Sequence, residues 1–236
     1  MKIIFYRKSI IIKIIIILML LFNVYPAFSN LKYGYIDKAG KYIIEPKFDE
    51  AWYFTEGLAA VEVNHKYGYI DKTGRFIIKP KFEAAEPFSE ELACVRLDDK
   101  YGYIDKTGKF ILQPEFNGAQ SFSEGLAVAQ KGEEYGYIDK TGKSVIEPKF
   151  DGAEDFSEGL AKVCIEQKYG YINKTGRILI EPKFDGAEDF SEGWAKIILE
   201  DKVGYIDKTG KVIIEPKFHW ISVFSEGLAC VSIITQ

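Results

Sequence analysis

Histidine is almost absent from this chain, with His65 and His219 alone among 236 residues. That scarcity removes most arrangements in which an imidazole activates a serine or cysteine nucleophile. His65 falls in an expected hairpin loop and His219 lies beside Trp220, so each is read as solvated or locally packed. Cysteine is scarce as well. Cys94, Cys164 and Cys230 are odd in number, which argues against a disulfide framework, and no His/Cys spacing recurs as a metal site would require. Cys94 and Cys230 share one place, within "LACV", and are read as small strand residues. Charge of one sign never gathers into a block. The 31 basic and 35 acidic residues interleave to a formal net charge of −4, which excludes the basic footprint of a nucleic-acid binder.

Long hydrophobic runs are confined to the first thirty residues. There Lys2, Arg7 and Lys8 precede an apolar run from Ile14 to Phe22, and then comes "NVYPAFSN", with Ala27 and Ser29 ahead of a cut before Asn30. This order describes a secretory signal peptide over residues 1–29. A retained membrane anchor is the other reading, but the apolar core falls short of the roughly 20 residues a spanning helix needs, and Asn23 and Pro26 interrupt the stretch beyond it. No cysteine stands after the run to take a lipid. Cleavage would remove Lys2, Arg7, Lys8 and Lys13 and no acid, moving the formal charge from −4 to −8. The expected product is acidic and exported (periplasmic, cell-surface or secreted), with no membrane span.

Stretches free of glycine and proline are also missing, and this excludes a helical repeat. The Gly of "YGYID" and its near copies lies at 34, 68, 102, 136, 170 and 204, a period of 34. Helical tetratricopeptide units share that period. Here, however, every copy carries a Gly in its "YG" or "VG", a Gly in its "TG" or "AG", and a Pro at 46, 80, 114, 148, 182 or 216. Such breakers leave no room for two helices. Alternating strands fit instead: "LAAVEV" at 58–63, "YGYID", and an apolar run such as "FIIKP" at 76–80 make a three-stranded antiparallel meander. In "DKTG" the Asp opens a type I turn and the Gly takes positive φ. In that register Ile70 would lie across from Phe76 and Tyr69 across from Ile77.

Both faces of such a sheet are apolar or aromatic, so each unit must be covered by the units before and after it. Phe82 and Phe88, repeated in every copy, are read as plugs that dock the crossover onto the sheets. The expected fold is all-β, a tandem array forming either a propeller-like ring or an open curved solenoid. Pairing of "LACVSI" at 228–233 with the Tyr33–Asp37 strand would close the ring.

The unit, aromatic-Gly-Tyr-Ile-Asp-Lys-x-Gly, then Pro-x-Phe and Phe-x-Glu-Gly-Leu-Ala-x-Val, resembles the bacterial WG-repeat family, over residues 31–233 and within a domain of 30–236. This sequence departs in having Tyr where the family often has Trp, and Val203 in the last copy. The resemblance implies all-β repeats in exported or surface proteins, sometimes joined to other domains, without a settled activity.

"DKTG" also opens the phosphorylated-Asp motif of cation-pumping ATPases. Lys or Arg stands here where a Thr is expected, and Asn173 replaces one Asp, so the turn reading is preferred. No catalytic, cofactor-binding or metal-ligating residue is assigned. Glu56, Glu90, Glu124, Glu158, Glu192 and Glu226 recur in the "SEG" turn. Turn or cap chemistry is their first reading, and a row of cation-binding carboxylates the sharper one; calcium would need several converging oxygens that no dense Asp/Asn loop provides. The inner crossovers read "DGAED", whereas the first carries Trp52 and Tyr53 and the last carries His219 and Trp220. Extra apolar bulk at the ends of an array marks contact with the other end of a closed ring, a partner protein or a ligand, with ring contact or end packing preferred over a ligand, and these four residues form the candidate interaction surface. The expected function is a non-enzymatic binding scaffold for a protein or glycan at the cell surface; the alternative is a spacer or cell-envelope component. Identity of residues 146–159 with 180–193 points to duplication.

Overall fold

The computed structural model describes residues 31–222 and 228–234, so the expected signal peptide lies outside the described residues. No helix occurs among them, and none is long and apolar enough to cross a membrane. The first strands are β1 (Tyr33–Ile36), β2 (Tyr42–Phe48), β3 (Glu50–Ala51), β4 (Ala59–Val63), β5 (Lys66–Ile70) and β6 (Phe76–Phe82). The pattern of β3 to β6 then recurs as β7–β10 (84–116), β11–β14 (118–150), β15–β18 (152–184) and β19–β22 (186–218). Strands β23 (Trp220–Ile221) and β24 (Val231–Ser232) complete the series. Each set of four forms one antiparallel sheet in sequence order, with two-stranded sheets β1–β2 and β23–β24 at either end.

The expected three-stranded meander is present and carries a fourth strand drawn from the crossover, two residues long in every full sheet but that of β15, where it has six. In the first full sheet Ala51 of that strand pairs with Val61 of β4, whose Ala60 in turn faces Tyr69 of β5. Two of the tight turns in this sheet share one backbone geometry. Asn64 and His65 both adopt positive φ in the β4–β5 hairpin, as do Glu56 and Gly57 in the turn preceding β4. Two consecutive left-handed residues are the type I′ geometry that matches strand twist.

One register differs from the sequence expectation. Ile70 does face Phe76, but Tyr69 faces Ile78 and not Ile77, because β6 bulges on either side of that pair. The bulge also explains the recurring "YG" glycine. A Cβ at Gly68 would lie 2.5 Å from the Ile78 carbonyl oxygen and 2.6 Å from the Pro80 nitrogen. Pro80 is tolerated because β6 is the outer strand of its sheet, where a missing N–H leaves no ladder partner unsatisfied.

The core lies between sheets. Tyr69, Ile78 and Phe82 from one face of the β3–β6 sheet pack on Ala93, Val95 and Ile104 of the following sheet. Ile44 and Phe48 from β2 pack in the same way on Ala59, Val61 and Ile70. Both crossover phenylalanines are buried, as Phe82 and Phe88 show, and Phe88 stacks edge-on against Tyr69 with centroids 4.9 Å apart. The hydroxyl of Tyr69 donates to the Glu86 carbonyl at 2.7 Å, a bond repeated by Tyr103, Tyr137 and Tyr171 with Gln120, Glu154 and Glu188. The tyrosine therefore buries its ring between sheets and pins the next crossover with its tip.

A local fault in this packing arises from one substitution among the repeats. Ser144 stands where the other full sheets have Phe76, Phe110, Ile178 or Val212. Its hydroxyl is buried without a partner, and a cleft of about 230 Å³ opens beside Phe116, Tyr137 and Ile146. Ser144→Ile is expected to fill that space and raise stability by about 1 kcal/mol, read from the midpoint of urea unfolding.

Candidate interaction surface

The repeated aspartate makes a turn. Asp71 Oδ1 accepts the Thr73 N–H at 2.9 Å, the Thr73 hydroxyl at 2.6 Å and the Arg75 N–H at 3.2 Å, while Gly74 N–H closes onto the Asp71 carbonyl. With three donors converging on one oxygen, the carboxylate is engaged locally. Asn173 reproduces the set through its amide oxygen, so the position needs an acceptor and no charge. The threonine hydroxyl first, and the backbone donors with it, hold Asp71, Asp105, Asp139 and Asp207 below the usual carboxylate range. A lowered folded pKa contributes stability that is complete above the ordinary carboxylate range and is lost as pH falls through the folded values. Asp139→Asn should leave the fold unchanged at neutral pH and flatten the loss of thermal stability in acid, as measured by melting temperature against pH.

The row of glutamates is a set of latches between sheets. Glu124 accepts the Gly159 N–H at 3.1 Å, and Lys174 closes over it, reaching its carboxylate at 3.0 Å and its carbonyl at 2.8 Å. Glu90 meets Gly125 and Lys140 in the same way, and Glu158 meets Gly193 and Lys208. Glu56 accepts the N–H of Glu91, which replaces the glycine of that turn, and pairs with Lys106. The cations along this edge are thus lysines of the chain itself. The Lys208 ammonium and two backbone N–H groups lower the Glu158 carboxyl. Cap chemistry, the first reading of these residues, is what the structure contains. Among the described residues no group of three or more His, Cys, Asp or Glu side chains is placed to hold a metal ion.

A second acidic region lies on the crossovers, around Asp155. Asp155 senses the charges of Glu154, Asp189 and Glu86, although Glu86 stands two repeats away in sequence. Gln120 of one crossover and Ala153 and Glu154 of the next line one cleft together with Lys162. Burial first, and the neighbouring carboxylates after it, push Asp155 up to about 6. Its Oδ1 and the Gln120 Oε1 are buried without partners, and Lys162 pairs with Asp189 at 3.6 Å close by. A raised folded pKa means that ionising Asp155 costs stability as pH climbs from its ordinary value through the folded one. Asp155→Asn should therefore raise the melting temperature near pH ~7 and leave it unchanged near pH ~4. Sequence reasoning missed this cluster, because its members come from different repeats and spacing within one unit does not bring them together. The one available signal was the acid in the "GAED" crossover.

The four residues expected to form an interaction surface are divided between the two ends. Trp52 and Tyr53 stack edge-on at 6.4 Å and stand 40 % and 67 % exposed, on the crossover after β3. Trp52 also accepts the Tyr35 hydroxyl through its carbonyl at 2.8 Å. Trp220 lies in β23, more than half exposed and paired with Ser232, and His219 Nε2 meets the Lys202 ammonium at 2.6 Å. No hydrogen bond or ring contact joins the two groups among the described residues. His65 sits in its hairpin, almost wholly exposed, 3.5 Å from Glu62. All three cysteines are free: Cys94 is buried, Cys164 half-buried and Cys230 exposed.

Comparison with known proteins gives one family and a set of distant structures. No curated protein matches the sequence. Hsv2p of Kluyveromyces lactis is similar in structure with a TM-score of 0.48 and 10% identity, over 70% of this chain and 62% of that one, so the chain spans less than two thirds of its length. A Bacteroides caccae protein of unknown function gives 0.36 and 14%, over 79% and 89%. The dihydro-heme d1 dehydrogenase NirN gives 0.45 and 11%, over 78% and 50%. One of the three is an enzyme, and scores this low transfer no activity. The WG containing repeat, by contrast, matches six times in tandem, over residues 33–67, 67–101, 101–135, 135–169, 169–202 and 204–233. With the glycine, tyrosine and turn geometry of the repeated unit accounted for, the chain belongs to the WG-containing-repeat family.

Proposed function

We propose that this protein is an exported, non-enzymatic scaffold that binds a protein or glycan partner at the cell surface. The observation that carries the reading is the exposed aromatic pair Trp52 and Tyr53, which stands where later repeats carry Glu86 and Pro87, Gln120 and Ser121, or Glu154 and Asp155. Exposed edge-on aromatics suit the apolar face of a sugar ring or an apolar side chain. The repeated polar groups support a scaffold as well: the aspartates cap turns and the glutamates latch sheets, so neither is held ready for chemistry. Glycan-array and pull-down screening of the secreted chain should find a ligand whose binding Trp52→Ala with Tyr53→Ala abolishes while the melting temperature holds. Absence of any ligand in both screens would contradict it.

A spacer is the second reading, favoured by the identity of residues 146–159 with 180–193. Excision of one 34-residue unit separates the two, since a spacer keeps its role at altered length and a dedicated binding surface loses affinity.

A further inference from the structure

The two ends of the array are complementary halves of one missing sheet. Among the described residues β1 pairs only with β2, and β24 only with β23, so of the two arrangements the sequence left open, ring or open array, the strand pairing that would close a ring is not made in this conformation. Elsewhere a strand equivalent to β24 lies against a strand equivalent to β1: Val61 faces Gly68, Glu62 faces Tyr67, and Cys94 faces Tyr103. The outer edge of β24 is equipped for the same pairing. Its Cys230 and Ser232 carbonyls accept bonds from Ser222 and His219 on the β23 side, which turns the Val231 N–H and carbonyl toward the open edge. Residues that are buried in the inner sheets are uncovered here. Ile36 is 60 % exposed, whereas its counterparts Ile70, Ile104 and Ile172 are wholly buried.

Side-chain contacts show the same unmatched ends. Gly74, Gly108, Gly142, Gly176 and Gly210 each lie against an aliphatic side chain of the preceding sheet, from Ile44 to Ile180, but Gly40 has nothing near it. The aliphatic residue left over in that series is Ile214, which is incompletely covered. In the latch series Glu56, Glu90, Glu124 and Glu158 have lysine partners; Glu192 and Lys38 have no ion-pair partner among the described residues. At the repeat spacing, the lysine one unit beyond Lys208 is Lys38 of an array added after β24.

We propose that β24 of one copy adds to β1 of a second copy, head to tail, completing a four-stranded sheet β23–β24–β1–β2 across the joint. Val231 faces Gly34, Ser232 faces Tyr33 and Cys230 faces Tyr35, while Ile214 packs on Gly40 and Glu192 latches to Lys38. The free edges in this conformation favour a second copy over the chain's own strand. Strand addition supplies main-chain bonds, and the apolar faces and latch set the register. The joint is heterologous, so it can repeat from copy to copy.

The test mixes two single variants of the full chain, Ser232→Cys and Tyr33→Cys, under mild oxidation. A disulfide between Cys at 232 and Cys at 33, identified by peptide mapping of a dimer band, can arise only between copies and is the expected result. The unmodified protein should also gain mass with concentration in light scattering, and Val231→Pro, which removes the outward N–H without touching the β23 bonds, should keep the mass of one chain. Concentration-independent monomer, or a disulfide formed only within a chain carrying both substitutions, would overturn the proposal.

Discussion

Gly136→Ala should cost about 3 kcal/mol or more of folding free energy, the range reserved for a clash that cannot relax. The added Cβ would fall 2.4 Å from the Ile146 carbonyl oxygen and 2.7 Å from the Pro148 nitrogen, both backbone atoms of the adjacent strand. No rotamer change relieves such a contact. The strand would have to move away, and with it the Tyr137–Ile146 pair and the face on which the next sheet packs. Urea denaturation checks the magnitude. Gly125→Ala makes the contrast: its surroundings are open and its positive φ is the only penalty, so the loss there should be about 1–2 kcal/mol.

Phe156→Ala is expected to cost about 3–5 kcal/mol, the usual range for deleting a fully buried phenyl ring. The ring is 2 % exposed, stacks on Tyr137 of the preceding sheet at 4.9 Å and belongs to a core that also contains Val163 and Ile172 of its own sheet. Its carbonyl accepts the Ser123 hydroxyl at 2.7 Å. Removing the ring therefore loosens two sheets at once, and chemical denaturation of this variant should show a transition that is broader as well as earlier. Tyr137→Phe, which keeps the ring and deletes only the bond to the Glu154 carbonyl, should cost about 1 kcal/mol.

How much of this was readable in advance depended on how local each feature was. The turn at Asp71, the hairpin at His65, the burial of both faces of the "YGYID" strand and the docking role of Phe82 and Phe88 all come from residues a few positions apart, or from period-two alternation. Features set by one backbone approaching another were hidden. The "YG" glycine looked like a breaker, and only the bulge of the neighbouring strand at Pro80 shows that it makes room for a carbonyl. The same bulge moved the partner of Tyr69 from Ile77 to Ile78. The fourth strand was invisible because two residues, Glu50 and Ala51, carry no alternation to read. Glu124 illustrates the limit at longer range. Its recurrence was plain, but its partners Gly159 and Lys174 lie 35 and 50 residues further along the chain, and spacing within a unit does not reveal them.

The central claim is that each sheet is stable only because its neighbours cover it. The core clusters combine residues of adjacent repeats, as Tyr69 with Val95 or Tyr171 with Ile197 illustrate. In such an array stability grows with the number of interfaces. The direct measurement is urea unfolding, monitored by far-ultraviolet circular dichroism, of fragments carrying one, two, three and four consecutive sheets, beginning with residues 84–116 alone. The account predicts an unfolded single sheet and a midpoint that climbs with each sheet added. A single sheet that folds and unfolds cooperatively with the midpoint of the full chain would contradict it.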